Sequence, residues 1–204
     1  MSTSPTGLIA ILRGITPEES EPIGEALYGA GFRSIEVPLN SPEPFDSIRR
    51  MRNFLPADCA VGAGTVLTLD DVVRSQQAGS DIIVSPNANT DVIRATVAAG
   101  MRSYPGVATA TEAFSAIEAG ATSLKIFPSD VVGVAGMKAW LAVIPANVEI
   151  LPVGGIDSAN LGTWASAGAS GAGIGSTLYK PGRSVKDVTE RAKELIAAWQ
   201  VATS

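Results

Sequence analysis

Short apolar runs rich in valine and isoleucine recur along the chain at Leu8–Leu12, Ser34–Leu39, Ala60–Ala63, Asp81–Val84, Met101–Tyr104, Ser123–Phe127, Glu149–Val153 and Ala172–Ile174. Each has the length of a strand, and stretches of helical character separate them. The repeat is about 20–26 residues, room for a strand, a helix and two turns, so the alternation predicts parallel strands joined by crossover helices. Eight such units predict one closed (β/α)8 barrel, a TIM barrel, at the small end of that fold's usual range of about 200–250 residues. No linker or low-complexity segment interrupts the series, so residues 1–204 read as a single domain.

Helix boundaries support the repeat. Thr16-Pro17-Glu18-Glu19 offers a capping threonine, proline at the first helical position and glutamate at the third, and Thr109-Ala110-Thr111-Glu112 repeats the box without proline. Glycine follows alanine at Gly31, Gly79, Gly100, Gly120 and Gly168, where a left-handed residue stops a helix. The last segment, Val185 to Val201, places Val188, Ala192, Leu195 and Trp199 near one face, as a closing helix requires.

Composition narrows the function. With 204 residues, 46% of them hydrophobic and 17% charged, the chain supports one well-buried core. A net charge of -5 and a pI near 4.8 supply no cationic field, which predicts no nucleic-acid or membrane-surface partner. The single cysteine, Cys59, cannot form an internal disulfide, and beside Ala60-Val61 it reads as strand packing. The uncharged segment Met1–Thr6 and the short run Leu8–Leu12, broken by Arg13, make neither a signal peptide nor a span. The expectation is a soluble, cytoplasmic protein.

There is no histidine. That removes the usual general base and the commonest metal ligand, and leaves lysine and carboxylates for proton and carbonyl chemistry. In a barrel, such groups cluster where strands give way to the following loops. The polar residues there are Arg13, Glu36, Gly64-Thr65, Ser85-Pro86-Asn87, Lys125, Gly154-Gly155 and Gly175-Ser176.

Side-chain alternation orients two of them. If Ile35 and Val37 face the helices, Glu36 points into the lumen; if Leu124 and Ile126 do, Lys125 points inward, with Phe127 one layer higher. An ammonium among apolar neighbours has a lowered pKa and so yields the nucleophilic amine of Schiff-base chemistry, while a purely structural ion pair is the alternative. Gly154-Gly155 and Gly175-Ser176 sit at positions that in many barrels bind phosphate through backbone N–H groups, although glycines also simply turn a chain. Asp157 reads as a helix cap rather than a ligand. Arg13 either grips a substrate carboxylate or ends a strand as a solvated charge, and Thr65 reads as a turn residue. Arg33 and Lys138 are placed as structural or exposed. A phosphosugar isomerase, with Glu36 as base and Lys125 as its electrostatic partner, and a non-catalytic phosphosugar-binding barrel remain alternatives.

Five strings in order, Ile9-Ala10-Ile11-Leu12-Arg13-Gly14-Ile15, Ile35-Glu36-Val37-Pro38-Leu39-Asn40-Ser41, Gly62-Ala63-Gly64-Thr65-Val66-Leu67, Leu124-Lys125-Ile126-Phe127-Pro128 and Val153-Gly154-Gly155, span nearly the whole chain. In these the chain resembles the class I aldolases that cleave 2-keto-3-deoxy-6-phospho sugar acids. The resemblance implies that Lys125 forms an imine with the keto carbon and that Glu36 shuttles protons. It places Arg13 and Thr65 at the keto-acid end, Gly154, Gly155, Gly175 and Ser176 around the phosphate, and Pro86 and Phe127 at the pocket wall. It implies pyruvate and glyceraldehyde 3-phosphate as products, no metal or organic cofactor, and a homotrimer. Gluconate-type relatives carry arginine where this chain has Asn40 and lack the arginine matching Arg13, so the resemblance favours the galactonate epimer, with gluconate as the alternative. They also carry an extra helix before the first strand, where this chain has only Met1 to Gly7, which leaves the covering of the lower barrel mouth open.

Overall fold

A computed structural model describes residues 7–204, so the reading of Met1–Thr6 lies outside the described residues. All eight apolar runs become strands: β1 Gly7–Ile11, β2 Ser34–Pro38, β3 Ala60–Gly64, β4 Ile82–Val84, β5 Arg102–Tyr104, β7 Ser123–Ile126, β8 Glu149–Pro152 and β9 Gly171–Ile174. A ninth, β6 Gly106–Val107, lies beyond the fifth run, which ends at Tyr104, and is separated from β5 by Pro105, which has no N–H to give a ladder. The helices are α1 Pro17–Ala30, α2 Pro44–Phe54, α3 Leu69–Gln77, α4 Thr90–Ala98, α5 Ala110–Glu118, α6 Ser129–Leu141, α7 Leu161–Ser166 and α8 Val185–Thr203.

The strands form two parallel sheets, of order β5-β4-β3-β2-β1-β9 and β6-β7-β8. The chain itself joins them through Pro105, whose carbonyl accepts the Lys125 N–H at 2.9 Å. On the far side a single parallel bridge pairs Val153 with Gly173, and Ser170 N–H donates to Ile150 O at 2.9 Å. The architecture is therefore α/β, a curled parallel arrangement covered by helices.

Alternation separates two apolar layers. Ala10, Ile35, Val37, Val61, Leu124 and Ile126 join the large core shared with the helices. Ile9, Ile82, Val84, Tyr104 and Leu151 form a second, smaller cluster enclosed by the strands. Glu36 and Lys125, one residue out of phase with their helix-facing neighbours, fall on the enclosed side.

Helix starts and stops follow the sequence signals. The two expected capping boxes form at Thr16/Glu19 and Thr109/Glu112, and a third, unread one forms at Thr68/Asp71. All five glycines expected to end helices take left-handed angles, with φ from 79° at Gly100 to 114° at Gly31. In α8, Val188, Ala192 and Leu195 are buried and Trp199 packs against the core at its edge. One boundary differs: the helix expected near Ser158 begins at Leu161, because the Asp157 carboxylate accepts the Ala159 and Asn160 N–H groups and closes a separate turn first.

The lower end of the strands is partly filled from within. At the first residues of β5, β7 and β8, Arg102 donates to Glu149 at 2.8 Å and to Ser123 at 3.3 Å, and Ser123 donates to Glu149 at 3.1 Å. Arg33, by contrast, is exposed and pairs with Asp58 at 3.2 Å, and Lys138 is exposed on α6, as expected of structural charges.

Candidate active site

Lys125 and Glu36 line one cavity together with Ile9, Ile11, Val84 and Tyr104. Register sets their positions: Glu36 lies level with Ile11 and Gly62 on its flanking strands, and Lys125 with Gly106 and Leu151. Both are buried, Glu36 to 2% and Lys125 to 8% exposure. Burial pushes the Glu36 carboxyl up to about 7, against the opposing pull of Lys125 and Arg13. Burial likewise lowers Lys125, opposed by the Glu36 charge and assisted by Arg13. Each group is thereby moved toward its neutral form, as a nucleophilic amine and a near-neutral proton carrier require.

The Glu36 Oε2 atom is buried without a hydrogen-bond partner. Such an atom costs stability unless something else occupies the site with it, and here it borders the cavity that Lys125 shares. The Lys125 Nζ lies 4.5 Å from the centroid of the Phe127 ring, although Phe127 itself does not line the cavity.

Gly64 makes room for the carboxylate. A Cβ built there would overlap the Glu36 carboxylate oxygens. Gly64→Ala is therefore expected to displace Glu36, lowering kcat by about 10²-fold, the lower end of what a positioned acid–base group contributes. Turnover and circular dichroism of the variant check this, and normal kcat in a folded Gly64→Ala protein counts against the geometry.

A second cavity adjoins the first, sharing Ile11, Val153 and Gly173 as wall, and is lined by Arg13, Gly154, Gly155, Gly175, Ser176 and Thr177. The two glycine pairs thus converge on one space. Gly154 and Gly155 take φ of 108° and 65°, angles that side chains disfavour, so the backbone itself forms the wall. The Arg13 Nη1 donates to Asn40 Oδ1 at 2.7 Å. Arg13 therefore sits on the glycine-lined side of the site while its charge still reaches Lys125 and Glu36.

Thr65 and Pro86 are not among the residues lining these two cavities. Thr65 follows β3 with φ 57°, a strained setting for a β-branched residue that holds about 1–3 kcal/mol, so the turn reading is right about the backbone. The Pro86 carbonyl abuts Gly106, the residue in register with Lys125. Two polar wall residues, Tyr104 and Thr177, escaped the sequence reading. Tyr104 needed only the alternation applied to Lys125, whereas Thr177, like the Arg13–Asn40 contact, depends on which loops meet. A wider groove beside Pro42, Phe45 and Arg74 lies away from this pair and carries no lysine.

Cys59 is buried immediately before β3, and burial pushes its thiol up to about 11, so it is a packing residue. Among the described residues no three His, Cys, Asp or Glu side chains gather as a metal site, and no helix is long and apolar enough to cross a membrane.

Residues 3–193 match the family model described as KDPG and KHG aldolase. A protein of Rhizobium meliloti (strain 1021), named "Probable 2-dehydro-3-deoxy-6-phosphogalactonate aldolase", is 48% identical over 192 residues, 94% of this chain and 91% of its own. The 2-dehydro-3-deoxy-6-phosphogalactonate aldolase of Escherichia coli (strain K12) is 45% identical over 195 residues, 96% of this chain and 95% of its own. A solved structure described as native KDPGal superposes with a TM-score of 0.94 at 45% identity, covering 96% of this chain and 95% of that one.

Proposed function

Because this chain belongs to the KDPG and KHG aldolase family, we propose that it is a class I aldolase that splits 2-dehydro-3-deoxy-6-phosphogalactonate into pyruvate and glyceraldehyde 3-phosphate. The observation that carries this reading is the buried Lys125–Glu36 pair on one cavity that opens onto the glycine-lined space beside Arg13.

The chemistry follows from the groups present. Neutral Lys125 attacks the keto carbon, and Glu36 supplies and removes the protons that turn the carbinolamine into a protonated imine. Loss of the proton from the hydroxyl on the fourth carbon breaks the bond between the third and fourth carbons. The electron pair enters the imine, leaving a neutral enamine and releasing the phosphorylated aldehyde. Protonation of the enamine and attack by water return pyruvate and the free amine. We place the phosphate against Gly154, Gly155, Gly175 and Ser176, where backbone N–H groups suit an anion; Arg13, which the resemblance puts at the keto-acid end, borders this glycine-lined cavity instead and adds positive charge there. Thr65 holds the keto-acid end, and Phe127 and Pro86 shape its surroundings. The residues call for no metal or organic cofactor.

The same reading takes residues 1–204 as one domain whose two sheets act as a single (β/α)8 barrel, joined through Pro105 and the Val153–Gly173 bridge. It places the enzyme in the cytoplasm as a homotrimer. Exposed Leu67, Leu69 and Val73 lie close together in sequence and give subunits an apolar face to cover. A monomer mass by light scattering would refute the trimer.

The decisive assay compares the two epimers. The Arg13–Asn40 contact is the feature that separates this chain from the gluconate-type pattern, so kcat/KM is expected to favour the galactonate epimer by at least about tenfold, roughly 1.4 kcal/mol of transition-state discrimination. Pyruvate release coupled to a dehydrogenase reads it. Preference for the gluconate epimer rejects the substrate assignment, and no release from either epimer rejects the aldolase.

A further inference from the structure

The turn after β9 is held from behind by two arginines. The Gly175 carbonyl accepts the Leu178 N–H at 2.9 Å and the Tyr179 N–H at 3.0 Å, closing residues 175–179 into one turn. The next three carbonyls converge on Arg183, whose Nη1 donates to Ser176 O at 3.4 Å, Thr177 O at 3.1 Å and Leu178 O at 2.8 Å. Arg191 Nη1 also donates to Thr177 O, at 3.3 Å. Asp187 joins the two guanidinium groups, 2.9 Å from Arg183 Nε and 3.2 Å from Arg191 Nε. The Arg183 side chain is only 14% exposed, so its donors face carbonyls rather than bulk water. From the same turn, the Thr177 hydroxyl donates to Ile156 O at 2.9 Å and ties it to the segment after β8.

A trans peptide presents its carbonyl and its N–H in opposite directions. With the Ser176 carbonyl drawn back to Arg183, the N–H of Thr177 points the other way. Among the described residues, no protein acceptor takes the N–H of Ser176 or Thr177, and both residues line the cavity with Gly154 and Gly155.

We propose that Arg183 is a positioning residue for phosphate recognition, fixing the turn after β9 so that its free N–H groups face the phosphate monoester without Arg183 itself touching the ligand. This rests on the phosphate placement above. It assigns a guanidinium a role that a lysine cannot fill, because one ammonium cannot hold the three carbonyls through one nitrogen and Asp187 through a second on the same rigid plane.

The test uses inorganic phosphate as probe, with Arg183→Met and Arg183→Lys in the full chain. Calorimetric affinity for phosphate is expected to fall about tenfold in Arg183→Met, and KM for the phosphorylated substrate to rise by a similar factor, the scale of losing one charge-assisted contact. Trapping of pyruvate on Lys125 by borohydride is expected to stay within about twofold of wild type, since that end of the site uses other strands. Arg183→Lys, which keeps the charge and the fold, is expected to lose part of the phosphate affinity. Unchanged phosphate affinity in either folded variant overturns the proposal, and so does an equal loss of pyruvate trapping, which would mean general damage. Wild-type protein that traps no pyruvate would reject the aldolase reading instead, while phosphate affinity would still decide the role of Arg183.

Discussion

Lys125→Met is expected to lower turnover by on the order of 10⁴–10⁶-fold, the range seen when a covalent nucleophile is removed from an otherwise intact site. Methionine keeps much of the volume and the apolar contacts but has no electron pair able to form an imine. No neighbouring amine can take over, because Lys138, Lys180, Lys186 and Lys193 are all exposed, on α6, α8 or the segment leading to α8. Borohydride added with pyruvate is expected to reduce the imine on wild-type Lys125 and leave a stable adduct on the peptide that contains it. The variant is expected to take up none. An isomerase, or a barrel that only binds phosphosugars, would show no adduct in wild type either, so peptide mapping separates all three readings. Removing a buried amine also relieves a desolvation penalty, so the inactive variant is expected to melt no lower than wild type.

Glu36→Gln is expected to cut kcat by about 10²–10⁴-fold while changing substrate affinity far less, because the amide keeps the shape and cannot move a proton. Steady-state kinetics give the split, and wild-type kcat would remove Glu36 from the mechanism. The pH dependence has a sign that can be worked out. With its carboxyl raised to about 7 by burial, Glu36 holds its proton below that pH. Steps that need it as a base therefore slow as pH falls below neutrality, and the glutamine variant loses that limb of the profile.

Stability follows the same shift. The unfolded chain ionises this carboxyl near 4.5 whereas the folded one does so near 7, so the native state is unpenalised below pH 4.5, loses stability as pH rises toward 7, and carries the full penalty above it. Glu36→Gln is thus expected to be more stable than wild type at pH 8, by on the order of 1–3 kcal/mol, with the gain vanishing near pH 4. Denaturant titrations at the two pH values measure it. A variant less stable than wild type at pH 8 would mean that the Lys125–Glu36 attraction outweighs the cost of burying the charge.

Much of this was legible in residue order because the signals are local. Eight strand-length apolar runs, the Thr16 and Thr109 capping boxes and five left-handed glycines depend only on neighbours a few residues away. The inward direction of Glu36 and Lys125 is equally local, since a strand's side chains alternate whatever lies across from them. Other features were hidden because they arise between segments. The fifth run was read to Tyr104, but that Gly106–Val107 beyond Pro105 also pair, with β7, depended on the partner strand. The capping role of Asp157 could be read, yet the turn it closes displaced the start of α7.

Residue order alone settled the chemistry on offer: a lysine and a glutamate on the enclosed faces of two strands, glycines after the last two, and no imidazole. Only the folded chain decided where that chemistry acts. It brought Glu36 and Lys125, 89 positions apart in the numbering, onto one cavity, left Glu36 Oε2 unpaired, put Arg13 against Asn40 on the glycine-lined side, and set Arg183 behind the turn it holds. The physical reason is that alternation and capping are short-range steric and hydrogen-bonding effects, whereas desolvation, pKa and cavity shape depend on atoms supplied by distant parts of the chain.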